Sequence, residues 1–140
     1  MTHMPFSEWN SRNNIGVEAI DEDHRKFLGL INTLQEAVQK CTATEVQGRI
    51  MSNLIIHVHS HFAAEEDLMR RSHFPWMEEH QSEHRIFAQR VYELQRELAW
   101  GNRSLAIEML NAMNNWFQHH VTGTDRKLQP FVLNDLVMKR

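Results

Sequence analysis

With 140 residues, 41% of them hydrophobic, the chain is long enough to close one domain around a buried core. Its net charge of −3 carries no basic stripe, which argues against nucleic acid as a partner. No apolar run approaches the roughly 20 residues of a membrane span, and the start lacks the apolar core of a signal peptide. Cys41 is the one cysteine, which excludes an internal disulfide and a cysteine-held iron–sulfur cluster and points to a reducing, cytoplasmic compartment.

Residues 1–16, with Trp9, Asn10, Asn13 and Asn14, read as an irregular N-terminal arm. A first helix is expected from near Asp21, which suits a capping role. Glu22 and Asp23 fall in its first turn, where the macrodipole favours acids, and its apolar face runs Phe27, Leu28, Ile31, Leu34, Val38. His24 continues that stripe one turn earlier. A second helix, about Ala43 to Arg71, sets Ile50, Leu54, His61, Glu65 and Leu68 on one side and breaks at Ser72–Pro75. A third, about Trp76 to Trp100, carries His80, His84, Phe87, Val91, Leu94 and Leu98, with Glu79 and Glu83 beside the histidines, and stops at Gly101-Asn102. A fourth, roughly Ser104 to Gly123, lines up Met109, Met113, Trp116 and His120. Short connections make neighbouring helices antiparallel. The expected fold is all-α: an up-down-up-down four-helix bundle over about 17–135, in a single domain spanning 1–140.

Seven side chains on these helices have metal-ligand chemistry: His24, His61, Glu65, His80, His84, His120 and Asp125. His61/Glu65 and His80/His84 are four apart, so each pair shares a helix face. In an antiparallel bundle the start of the first helix, the end of the second, the start of the third and the end of the fourth meet at one level. All the ligands then fall roughly 5–15 Å from that end at about 1.5 Å rise per residue. Buried imidazoles and carboxylates without partners cost several kcal/mol each, and a pair of cations resolves that cost. Five imidazoles, two carboxylates and no thiolate argue for iron. Two bridging carboxylates leave the imidazoles to divide three and two, with a vacancy on the two-imidazole side. Asp125, five residues after His120, lies about 140° off on a regular helix; with Gly123 between them, the fourth helix is expected to bulge or unwind there. His57, one turn before His61, falls on the ligand face as a hydrogen-bonding or pocket-lining residue. His59 should point elsewhere, and Glu66 is a candidate supporting acid.

Trp9-Asn10, Val17–His24 (VEAIDEDH), His61–Met69 (HFAAEEDLM), Phe74–His84 (FPWMEEHQSEH) and Trp116–Phe131 (WFQHHVTGTDRKLQPF), in this order, resemble the bacterial hemerythrins over essentially the whole chain. The resemblance implies a non-haem di-iron site that binds O2 reversibly. His80, His84 and His120 would hold one iron, His24 and His61 the other, and Glu65 and Asp125 would bridge them beside an oxo or hydroxo group. O2, or nitric oxide or a small anion, would enter at the open position. Trp116 matches a pocket tryptophan of the family. Phe74 and His57 stand where many relatives have tyrosine, and Gly123 is small enough to leave a path for solvent or gas. The implied role is oxygen sensing, storage or delivery, alone or with a signalling domain or partner protein. A di-iron oxidase, peroxidase or nitric-oxide-reducing enzyme and an iron-handling protein are the alternatives.

Overall fold

The computed structural model describes residues 18–132, with the backbone alone at Ala19, Thr122, Thr124 and Asp125. The expected arm over 1–16 and the last residues of the chain lie outside that range. Four helices follow in order: α1 (Glu18–Gln39), α2 (Thr44–Arg71), α3 (Met77–Ala99) and α4 (Arg103–His119). The described residues include no strand, and no helix among them is long and apolar enough to cross a membrane. α1 packs on α2, α2 on α3, α3 on α4, and α4 closes back on α1. This is the antiparallel four-helix bundle expected from the pattern.

Two boundaries differ from expectation. α1 already includes Glu18, so Asp21 lies a turn inside the helix and is buried rather than capping it. The α-helical part of α4 stops at His119. A π-helical segment follows over His120–Thr124, and then a 3-10 turn over Asp125–Leu128. The unwinding expected before Asp125 is therefore present.

Each of the three turns uses the same stop. At the end of α1, Thr42 N–H donates to Ala37 O at 3.0 Å and Cys41 N–H to Val38 O at 3.2 Å. The same pair of bonds recurs at His73-Phe74 and at Gly101-Asn102. This nested pattern needs one residue in the left-handed region, and Cys41 (φ 53°), His73 (φ 57°) and Gly101 (φ 77°) supply it. Two of the three are not glycine, so only the last stop carries the glycine usual at this position; Pro75 marks the second. A methyl group at Gly101 would meet nothing within 4 Å, so Gly101→Ala should cost only the backbone penalty, about 1–2 kcal/mol. A lowered midpoint in denaturant with unchanged slope is the expected readout. Across the same end of the bundle, Arg103 donates to Val38 O at 3.0 Å and Gln39 O at 2.8 Å, covering the last carbonyls of α1.

The core is apolar along most of the bundle's length. Phe27, Leu28, Ile31, Leu34, Leu54, Phe87, Leu94 and Leu110 are fully buried, each worth about 1.5–3 kcal/mol relative to exposure. On α2 the centre of the stripe is Met51, Leu54 and Met69, with Ile50 and Leu68 only partly covered. The apolar filling gives way to polar side chains at one end, where His24, His61, Glu65, His80, His84 and His120 are all buried.

Candidate metal centre

The cluster is organised around one carboxylate. Glu65 lies on the inner face of α2, wholly enclosed, and each of its oxygens faces a different set of imidazoles. Oε1 meets Nε2 of His80 at 2.5 Å, of His84 at 3.0 Å and of His120 at 3.8 Å. Oε2 meets Nε2 of His61 at 3.2 Å and of His24 at 3.5 Å. The division is three and two, and the nitrogen turned inward is Nε2 in every ring. Two groups of buried ligand atoms result, Glu65 with His80, His84 and His120, and Glu65 with His24 and His61, each lying within 4.8 Å of one another.

Local structure explains the aim. One turn of α2 separates His61 from Glu65 and one turn of α3 separates His80 from His84, so each pair projects together. His24 comes from the second turn of α1 and His120 from the point where α4 passes into the π segment. In an i→i+5 pattern the residue five along returns close to the starting face, which brings the backbone of Asp125 round beneath His120. The side chain of Asp125 is outside the described set.

Outside the cluster, a second layer of acids meets the outer nitrogens. Glu66 Oε2 is 2.9 Å from His84 Nδ1, Asp23 Oδ2 is 3.3 Å from His61 Nδ1, and Glu83 Oε2 is 3.5 Å from His120 Nδ1. Gln81 donates to the other oxygen of Glu66 at 3.0 Å and steadies it. Each of these three imidazoles thus stands between two carboxylates. A neutral ring has one N–H to donate, so it can satisfy only one side. If that N–H is Nδ1–H, facing the outer acid, the Nε2 lone pair points at Glu65 and a cation must lie between them. That donor set, with two full groups sharing one carboxylate, fits a pair of bridged metal ions.

Burial by itself would raise the Glu65 carboxyl. The imidazoles of His120, His24, His61 and His80 outweigh it and hold the group well below the usual carboxylate range. Anionic Glu65 is thus available to bridge.

Aromatic rings fix the imidazole planes. Phe62 stacks on His84 with centroids 3.8 Å apart and planes 5° from parallel, and Trp116 stacks on His120 at 4.4 Å and 13°. Phe117 meets His24 edge-on at 5.7 Å. Trp116 is also stacked on Phe87 at 4.4 Å and lines a groove of 660 Å³ between α3 and α4. Its ring is therefore shared between the groove and the three-imidazole half.

The remaining expected residues lie further out. His57 is half-buried and donates from Nε2 to the main-chain carbonyl of Asp23 at 3.0 Å; burial lowers its pKa, partly offset by that bond. His59 is exposed and bonded to the Tyr92 hydroxyl at 2.6 Å, away from the cluster as expected. Gly123 is exposed in the π segment, where an added methyl group would meet nothing within 4 Å. Asp23 and Glu83 escaped sequence reasoning. Each sits beside a histidine, but so do acids on many solvated helix faces, and only the neighbouring helix makes the difference.

Comparison with known proteins agrees with this geometry. The hemerythrin HHE cation-binding domain family matches residues 15–132. The bacteriohemerythrin of Stenotrophomonas maltophilia is 29% identical over 123 residues, covering 88% of this chain and 79% of the relative. That of Ralstonia nicotianae is 27% identical over 125 residues, covering 89% and 88%. A hemerythrin-like protein of Naegleria gruberi is 28% identical over 123 residues, covering 88% and 90%. Crystal structures of hemerythrin point mutants superpose with a TM-score of 0.82 at 21% identity, covering 92% of this chain and 98% of theirs, a likeness of fold. A family match over residues 15–132, nearly the whole bundle, means that the chain belongs to the hemerythrin HHE cation-binding family as a bacterial hemerythrin-like protein.

Proposed function

We propose that the protein binds O2 reversibly at two iron ions held by His24, His61, Glu65, His80, His84, His120 and Asp125, with an oxo or hydroxo bridge, for oxygen sensing, storage or delivery in a reducing cytoplasm. The observation that carries this reading is the unequal division of five inward Nε2 atoms over the two oxygens of one buried carboxylate. A reduced iron pair supplies two electrons to one O2 and recovers them on release. The protein's part is to leave one position open and keep water away from it. Three imidazoles leave less room on the Oε1 side than two leave on the Oε2 side, so a diatomic ligand fits the His24/His61 half. Phe27, Phe62, Phe87 and Phe117 wall that interior with buried rings, and a dry site discourages loss of partly reduced oxygen.

The imidazole-rich set supports binding over oxidation chemistry, because carboxylate-rich sites with Glu-x-x-His pairs are the usual arrangement for di-iron oxygen activation in bundles. Admitting O2 to reduced, iron-loaded protein should produce a visible charge-transfer band that disappears when the gas is removed. Steady O2 consumption in the presence of a reductant, without a reversible band, would instead identify an enzyme.

A further inference from the structure

We propose that Asp23 is a positioning residue for the two-imidazole half of the centre, and that His57 is the clamp that holds it in place. The inference rests on the two-metal reading above and adds to it a second bond, from His57, at the acid that meets His61. On the three-imidazole half, His84 meets Glu66 across the α2–α3 seam and His120 meets Glu83 of α3 from the end of α4. On the other half, the acid that meets His61 comes across the α1–α2 seam. Asp23 Oδ2 lies 3.3 Å from His61 Nδ1, and its side chain is 36% exposed.

A partly exposed aspartate at that distance has other rotamers and water to choose from, so a bond that holds its backbone at the seam favours the contact. His57 supplies it. It lies one turn before His61 on α2, and its Nε2–H reaches the Asp23 carbonyl at 3.0 Å. That carbonyl also faces along α1 toward the helix's own N–H groups, so His57 uses its second lone pair. Two bonds therefore cross the seam at one residue: main chain of Asp23 to His57, side chain of Asp23 to His61. Phe27 packs edge-on against His57 at 5.8 Å and keeps the ring from swinging out. Through Asp23, the clamp fixes which nitrogen of His61 bears hydrogen and turns the other toward Glu65 Oε2 at 3.2 Å.

Loss of a carboxylate that orients a metal-bound imidazole lowers metal affinity by about 10–100-fold. The test is a titration of metal-free protein with Co2+ alone, followed by its visible d–d absorption, with the fold checked by circular dichroism. Wild type should take two ions in two steps. Asp23→Ala should weaken one step by about 10–100-fold and leave the other within about twofold. Glu66→Gln should weaken the opposite step. Asp23→Asn keeps size and an acceptor and should fall between wild type and alanine. His57→Phe should reproduce part of the Asp23→Ala loss, and His57→Gln, which restores an N–H donor, should recover it. Equal weakening of both steps in Asp23→Ala, or no weakening in a folded Asp23→Ala, would overturn the clamp while leaving the two-metal reading intact. A wild-type protein that takes up no second ion would overturn both.

Discussion

Replacing Glu65 by alanine should abolish uptake of both metal ions and lower the stability of the metal-free protein by about 3–5 kcal/mol, the usual effect of removing one partner from a buried charged network. Glu65 belongs to both groups of ligand atoms, so both are affected at once. Its two oxygens reach Nε2 of His80, His84 and His120 on one side and of His61 and His24 on the other. Glu65→Gln separates charge from shape. It fills the same volume and keeps one acceptor, but it can neither bridge two cations nor compensate five converging imidazoles. Both variants should therefore lose metal, measured by elemental analysis after dialysis, and Glu65→Gln should retain more of the packing. Two tightly held ions in either variant would refute the central role given to this carboxylate.

The pH dependence of the same pair of proteins has a definite sign. The Glu65 carboxyl is held well below the ordinary range when folded. Such a group contributes stability that is complete above its unfolded value of about 4.3 and is lost as pH falls through the folded value. Without metal, the gap in melting midpoint between wild type and Glu65→Gln should be wide near neutrality and close progressively below about pH 4. An equal gap across the whole acid range would mean that the charge on Glu65 does not contribute. Metal loading also falls with acid, since imidazole binds a cation only when neutral.

The inner ligands were legible because their chemistry and their period coincide. His61/Glu65 and His80/His84 repeat every four residues on stripes that are otherwise apolar, and an apolar stripe has no ordinary use for an imidazole. The π segment was legible for a geometric reason, since a residue five beyond His120 misses the face of a regular helix. Of the supporting layer only Glu66 was legible, and the rest was hidden because its meaning lies between helices. Asp23 and Glu83 look like solvated acids in a first turn and on a charged face, and only the rotation of α2 and α4 against their neighbours puts His61 and His120 within reach. Phe62 was hidden too: it stands next to His61 in sequence yet stacks on His84 of another helix. Cys41 and His73 end helices in the left-handed region, where sequence expectation looks for glycine.

Phe27→Ala should be the most damaging change away from the ligands. The ring is fully buried, stacked on Phe117 with centroids 4.7 Å apart and planes 1° from parallel, and tilted against Phe87 at 5.3 Å. Truncating a phenylalanine so enclosed costs about 3–5 kcal/mol, a large share of the roughly 5–15 kcal/mol that holds a domain together. The loss should not be confined to packing. Phe117, released on one face, also meets His24 edge-on at 5.7 Å, so the cavity lies one ring away from the two-imidazole half. In wild type, metal at 100 times its dissociation constant adds about 2.7 kcal/mol of stability by mass action. That increment should shrink in Phe27→Ala, because His24 is less well aimed, and return in Phe27→Leu, which refills most of the space. An unchanged increment in a merely weakened Phe27→Ala protein would mean that the aromatic layer supports the fold without aiming the ligands.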